Sequence, residues 1–317
     1  MSAPPDPETA KGPSAPGGPF AVGGADPTAL LLGVLFALMW SSAFTSARII
    51  VAEAPPILAL SLRFALSGLL GVGIALLAGG SLRLTRAQWR AVVVFGICQN
   101  ALYLGLNFVA MRSVEASLAA IVASTLPLLV ALANWVLFSE RTRRLGVLGL
   151  LAGTAGVLLI TGTRLGGGAD ALGALLCLGG VAALTAATLT LRSATGGGGN
   201  VLMVVGLQMF VGAATLLPLG LVTETWAVAW SPRLALAFAY TVTVPGLLAT
   251  WIWFRLVGRI GATPAATFHF LNPFFGVLVA WAFLGERMGW ADAVGVVVIA
   301  AGILAVQLSR IGARRAG

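Results

Sequence analysis

The sequence predicts an all-α integral membrane protein of ten transmembrane helices, arranged as two inverted five-helix repeats. Three observations carry that prediction. The first is composition: 59% of the 317 residues are hydrophobic and only 9% are charged, whereas soluble domains carry about 25% charged residues. With a mean hydropathy of +0.99, such a chain cannot cover itself with a hydrated surface. The second is a series of ten apolar runs, each near the ~20 residues that a helix needs to cross a bilayer. The third is a stretch that occurs twice. Pro127, Trp135, Glu140, Arg141, Gly149 and Gly156 recur as Pro273, Trp281, Glu286, Arg287, Gly295 and Gly302, each 146 positions later and without a gap. The match extends upstream, pairing Phe108 with Phe254, Ala116 with Ala262 and Ala119 with Ala265. A pattern of this length and mixture of residue types marks an internal duplication.

Residues 1–28 are rich in Pro, Gly, Ala and Ser and cannot bury a core, so they read as a disordered tail. The tail has no basic segment leading into a short apolar one, and the first apolar run is expected to stay as an anchor. Five runs make up the first repeat, residues 29–162, at 29–50, 57–78, 89–110, 116–138 and 145–162. Five more make up the second repeat, residues 169–309, at 169–191, 200–222, 233–254, 262–284 and 289–309. A short basic tail follows at 310–317. The separators carry turn and charge signals, among them residues 54–56 (APP), 139–144 (SERTRR) and the glycine runs at 166–168 and 196–199. Neither glycine run is followed by the Lys-Ser/Thr pair that contacts phosphate and metal, so both read as connectors.

Orientation follows from the arginines. With the N-terminus inside, the cytoplasmic segments hold thirteen basic residues: Lys11, Arg83, Arg86, Arg90, Arg141, Arg143, Arg144, Arg192, Arg255, Arg259, Arg310, Arg314 and Arg315. The external segments hold five: Arg48, Arg112, Arg164, Arg233 and Arg287. The positive-inside rule then places both termini in the cytoplasm, in a cytoplasmic (inner or plasma) membrane. Arginines placed at the ends of apolar runs report membrane orientation, and nucleic acid is not an expected partner of the +9 charge. Because five is odd, the second repeat enters the membrane upside down relative to the first. Inverted repeats are a secondary-transporter scaffold with its site near the midplane.

With Ser-x-Arg-Phe at 61–64, the small-residue run 116–125 leading to Pro127, and Glu-Arg at 140–141 and 286–287 each followed by a Gly-rich helix, the chain resembles the EamA type of the drug/metabolite transporter superfamily. The resemblance covers roughly residues 30–309. It implies a ten-helix carrier of two repeats that exports or exchanges small metabolites (amino acids, sugars or drug-like solutes) without ATP.

Polar groups buried in lipid are costly, so those in mid-helix are candidates for the substrate pathway. His269 is the only histidine and precedes Asn272-Pro273. The proline removes the amide that would bond the carbonyl of His269. Two readings stand: a substrate ligand or coupling-proton site, or a histidine bonded between helices for packing. Further cavity candidates are Asn272, Asn100, Gln99, Tyr103, Trp40, Ser42, Ser124 and Thr188. Each hydroxyl alone is more often an inter-helix contact or a bond to its own helix than part of a cavity wall. Pro127, Pro273, Glu140 and Glu286 read as structural hinges, each glutamate expected to favour the start of the helix that follows it. Arg63, two turns into the second run, is expected to snorkel to the outer interface or to serve the fold rather than to bind an anion.

No acidic residue lies in mid-membrane, so a carboxylate proton relay is not on offer. The two cysteines, Cys98 and Cys177, lie in apolar runs and form neither a metal cluster nor a disulfide scaffold. No Walker motif, paired carboxylates or serine triad occurs, so neither an enzyme activity nor a cofactor is expected. The expected partners are a small-molecule substrate, the lipid bilayer and a coupled proton. Two other function classes compete: an intramembrane enzyme using His269, which lacks an acid or metal partner, and a non-transporting membrane subunit that assembles with another protein.

Overall fold

A computed structural model describes residues 26–138, 144–166, 170–191, 201–260, 265 and 268–314. The described residues are helical with no strand, and eight helices are long and apolar enough to cross a membrane. These are α1 (Pro27–Glu53), α2 (Pro56–Leu77), α3 (Arg86–Ala110), α4 (Ala116–Leu137), α5 (Arg144–Thr163), α6 (Ala171–Leu189), α7 (Leu202–Thr223) and α8 (Pro232–Trp253). Two shorter apolar helices follow, α9 (Asn272–Leu284) and α10 (Trp290–Val306). Ten full spans were expected from hydropathy. Where the ninth was expected, a 3-10 turn over Phe268–Leu271 precedes α9, so that helix is short. The tail at 1–25, Glu140-Arg141, the glycine connectors at 167–168 and 196–199, and residues 261–264 lie outside the described residues.

Local signals in the sequence set the helix ends. Asp26 caps α1, its carboxylate accepting from the amides of Thr28 and Ala29, with Pro27 in the first turn. Thr85 and Gln88 form a reciprocal capping box at α3. Ser231 caps α8 ahead of Pro232. Asp26 is also held by the Arg259 guanidinium, and that hydrogen bond keeps its carboxyl below the usual range.

Helix interiors depart from α geometry at matching places. In α3 the stretch Gly96–Leu104 is π-helical, and in α8 the stretch Val244–Leu248 is π-helical. Shifting 96–104 by 146 positions gives 242–250, which contains the second wide turn. The chain also breaks before each repeated proline. A turn at Ser124–Thr125 precedes Pro127, and the 3-10 turn at 268–271 precedes Pro273. A proline lacks the amide for the preceding turn and disfavours α geometry in the residue before it.

Packing rests on backbone contact between glycine-bearing helices. The most extensive interfaces are α5 with α10 and α2 with α7. A methyl carbon added at Gly149 would lie 2.6 Å from the carbonyl oxygen of Gly302, and one at Gly156 would lie 3.0 Å from that of Gly295. The order of these contacts shows that α5 and α10 run antiparallel. In the second pair, a carbon added at Gly206 would lie 2.7 Å from the amide nitrogen of Val72. Small residues at a crossing let helices approach where lipid supplies no hydrophobic drive. Around this frame, α1 runs through the middle and packs against α4, α8 and α9. Leu69, Leu77, Leu148, Leu151, Leu158, Leu172, Leu221 and Val222 stand exposed on the outside, a surface suited to hydrocarbon rather than water.

Candidate functional site

Between α1, α2, α3 and α8 lies an internal cavity lined by Trp40, Arg63, Tyr103, Asn107, Thr241 and Pro245, with Phe44 and Phe108 among its apolar walls. Both π-helical stretches reach it, one through Tyr103 and Leu104 and the other through Pro245. A wide turn adds a residue to the helix circumference and re-aims the side chains beside it, a device frequent at functional sites. The cavity encloses about 40 Å³, while pockets for small organic ligands run to roughly 300–1,000 Å³. In this conformation it has room for little more than water.

Arg63 is the unexpected occupant. Of the two roles expected for it, snorkelling and service to the fold, its 5% exposure removes the first. The physical reason is helix phase. Leu60, Arg63, Phe64, Ser67 and Gly71 are all buried on one stripe of α2, while Leu62, Leu66, Leu69 and Leu70 face outward. Ser61 and Ser67 pin that inward face by donating to the carbonyls of Ala213 and Val242. Gly246 packs beside them: a methyl carbon there would stand 3.1 Å from the Thr241 carbonyl oxygen, 3.2 Å from the Ser67 hydroxyl and, in ordinary contact, 3.7 Å from Nη2 of Arg63. Nε has no hydrogen-bond partner, and the guanidinium carbon sits 4.9 Å from the ring centre of Phe64.

Asn107 completes the polar lining. It is fully buried; its amide nitrogen donates to the Tyr103 carbonyl at 2.8 Å, and its Oδ1 has no partner. The Thr241 hydroxyl lies 2.6 Å from the Ala237 carbonyl and 2.7 Å from the Ser46 hydroxyl. Sequence reasoning passed over Asn107 and Thr241. The signal for Asn107 was its place one turn beyond Tyr103, and Thr241 carried none.

Next to the cavity stands an aromatic group. His269 lies on the 3-10 turn, half-buried, edge-on to Phe36 at 5.3 Å and to Trp253 at 5.3 Å. Its Nδ1 is 2.9 Å from the Asn272 amide nitrogen and so acts as the acceptor. Phe36 connects this group to Trp40 at 5.8 Å. Of the expected cavity residues, Trp40 and Tyr103 line the cavity, and His269 and Asn272 belong to the adjoining group. Asn100 instead donates to the Gln208 carbonyl on α7, and Ser42 bonds the Met39 carbonyl and the Tyr240 hydroxyl. Ser124 and Thr188 bond back to their own helices, and Gln99 is half-buried outside the cavity lining.

At the far end from Asp26, an ionic recess is lined by Arg48, Glu53, Glu115, Arg233, Glu286 and Arg287. Glu286 was expected to serve the helix that follows it. Its carboxylate instead accepts from the amides of Ala116 at 2.8 Å and Ser117 at 3.0 Å, at the start of α4. Glu224, at the end of α7, does the same for α2, accepting from Ile57 at 3.0 Å and Leu58 at 2.9 Å. Four amides at a helix start lack intrahelical partners, and a carboxylate there also meets the positive end of the dipole. These bonds tie the second half of the chain to helix starts in the first.

The profile of the EamA-like transporter family matches this chain twice, over residues 27–162 and 171–308. An uncharacterized transporter of Bacillus subtilis, YvbV, is 28% identical over 281 residues, covering 88% of this chain and 91% of its own. The uncharacterized inner membrane transporter YedA of Escherichia coli is 28% identical over 284 residues, covering 85% and 89%. The aromatic amino acid exporter YddG of Ancylobacter novellus is 34% identical over 140 residues, covering 44% and 48%. A solved crystal structure superposes with a TM-score of 0.64 at 22% identity, over 89% of this chain and 97% of the other, a likeness of fold.

Proposed function

We propose, from the premise that the chain belongs to the EamA-like transporter family and is an integral membrane transporter rather than an enzyme, that it is a secondary carrier working by alternating access. Its cargo is a small metabolite (an amino acid, sugar or drug-like solute) and its direction is export or exchange across the cytoplasmic membrane. The observation that carries this reading is the small cavity walled by α1, α2 and α3 of one repeat and α8 of the other, with a buried cation and an unpartnered acceptor among mostly apolar walls. A secondary-transporter scaffold built of two repeats places its site between them.

Ten spans in two inverted halves are part of the proposal, and the glycine crossing supports them. Exchanging the repeats turns the Gly149–Gly302 contact into Gly295–Gly156, which is also present. An antiparallel crossing that maps onto itself under repeat exchange is what inversion requires. The basic residues support cytoplasmic termini. That would put the Glu286 contact at the external face, where it ties the second repeat to the start of α4 in the first. Similarity to YddG, an aromatic amino acid exporter, supports placing amino acids first in a substrate panel.

Reconstituted into liposomes, the full chain is expected to move at least one solute from a panel of amino acids, sugars and cationic drugs above the rate of empty vesicles. No movement of any solute, with or without a pH gradient, would remove the carrier reading. The same assay tests the proton. His269 faces Phe36, Trp253 and Asn272, none of which titrates near neutrality. His269→Ala is expected to abolish pH-driven uphill transport and spare downhill exchange. Unchanged pH dependence would leave His269 a packing role.

A further inference from the structure

The structure assigns Arg63 as the seat of a carboxylate, so that the carrier proposed above takes small carboxylates, amino or hydroxy acids among them, with an apolar body. The inference rests on the carrier reading and deepens it by naming the substrate class. Among the described residues lining the cavity there is no aspartate or glutamate, and Arg63 lies 95% out of reach of solvent, by its 5% exposure, with Nε unbonded. A buried guanidinium costs several kcal/mol of desolvation unless something pairs with it. The aromatic face of Phe64 offsets part of that cost, but a ring face cannot accept the in-plane N–H bonds. The guanidinium fork matches a carboxylate in shape, two N–H groups to two oxygens. The ligand that relieves the strain is therefore an anion, and the cavity into which Arg63 opens is where it sits.

The rest of the lining narrows the class. Trp40, Phe44 and Phe108 offer apolar and aromatic walls, which favour a hydrocarbon or ring body over a sugar. Asn107 offers one fully buried acceptor, Oδ1, with nothing bonded to it. A donor on the ligand, an amino or hydroxyl group beside the carboxylate, satisfies it. Amino and hydroxy carboxylates share this chemistry, whereas amines without a carboxylate have no counter-charge on the walls.

The test uses matched pairs on the full chain in liposomes and in detergent. The probes are phenyllactate and phenylalanine, each beside its own carboxamide. The carboxylates are expected to exchange and to raise the melting temperature of the purified protein, and the carboxamides to do neither. Arg63→Gln is expected to raise the half-saturating concentration of the carboxylates at least about tenfold, the loss of one charged hydrogen-bonding partner, while Arg63→Lys recovers part of it. Carboxamides that compete as well as carboxylates would overturn the inference, as would Arg63→Gln with unchanged half-saturation. Should the variant not fold, the comparison of matched pairs on the unaltered chain decides. Movement of neutral or cationic solutes without carboxylates overturns the anion assignment alone. Failure to move anything overturns the carrier reading beneath it.

Discussion

Gly302→Ala is expected to destabilise the protein by about 1–3 kcal/mol, the usual cost of forcing a methyl group into a filled contact. The added carbon would sit 2.7 Å from the carbonyl oxygen of Gly149, 2.7 Å from the amide nitrogen of Gly153 and 2.9 Å from its Cα. All three are backbone atoms and cannot rotate aside, so α5 and α10 must separate along the whole crossing. Gly149→Ala acts on the same crossing from the other side, at 2.6 Å from the carbonyl of Gly302. The double variant is expected to cost less than the sum of the two, because one separation relieves both. The control lies on α5 itself. Nothing stands within 4 Å of a carbon added at Gly162, and Gly162→Ala is expected to be neutral or stabilising by up to about 1 kcal/mol through helix propensity. Melting curves and gel-filtration profiles of the three single variants in detergent check this. Equal melting temperatures for Gly302→Ala and Gly162→Ala would show that the crossing does not hold the fold.

That crossing was legible in the sequence, because Gly149, Gly156, Gly295 and Gly302 belong to the repeated stretch and a 146-residue register relates them. The break before each repeated proline was legible for the same reason, and its cause is local: one missing amide. Other features are not local. Whether α3 winds as a π-helix at Gly96–Leu104 depends on what packs around it, and no propensity in those nine residues marks it. Distance from a helix end leaves snorkelling open to Arg63, and helix phase removes it. The stripe of Leu60, Phe64, Ser67 and Gly71 that shares its face was already present in the sequence. Asn100 and Ser42 bond to groups far away in the sequence. Their partners, the Gln208 carbonyl and the Tyr240 hydroxyl, lie 108 and 198 positions away, and such contacts have no local signature. His269 and Asn272 are neighbours in the sequence, but Phe36 and Trp253 come from distant helices. Hydropathy identified eight of the ten expected spans at full length; the partners of individual polar groups came only with the packing.

Glu286→Ala is expected to open the cavity toward the face where Glu286 lies. Its two carboxylate oxygens hold the amides of Ala116 and Ser117, and Gly285, at φ +69°, turns the chain so that they reach. Charged hydrogen bonds of this kind are each worth about 1.5–3 kcal/mol when buried. Glu286 is half-buried, so loss of the pair is expected to shift the closed-to-open balance by about 1–2 kcal/mol, roughly five- to thirtyfold. The readout is the rate at which a maleimide, added from that face, labels a cysteine placed at Ala47 on the cavity wall, in a chain without Cys98 and Cys177. Glu286→Gln keeps an acceptor and loses the charge, so it is expected to fall between. The 146-residue register pairs Glu286 with Glu140, and Ala116 and Ser117 with Ala262 and Thr263. If the repeats are inverted, the same contact guards the opposite face, and Glu140→Ala should slow labelling from the first face while Glu286→Ala speeds it. A fall in melting temperature with no change in labelling for Glu286→Ala would make the contact a structural cap. Changes of the same sign in both variants would argue against two gates working in turn, because a carrier that alternates cannot gain access on one face without losing it on the other.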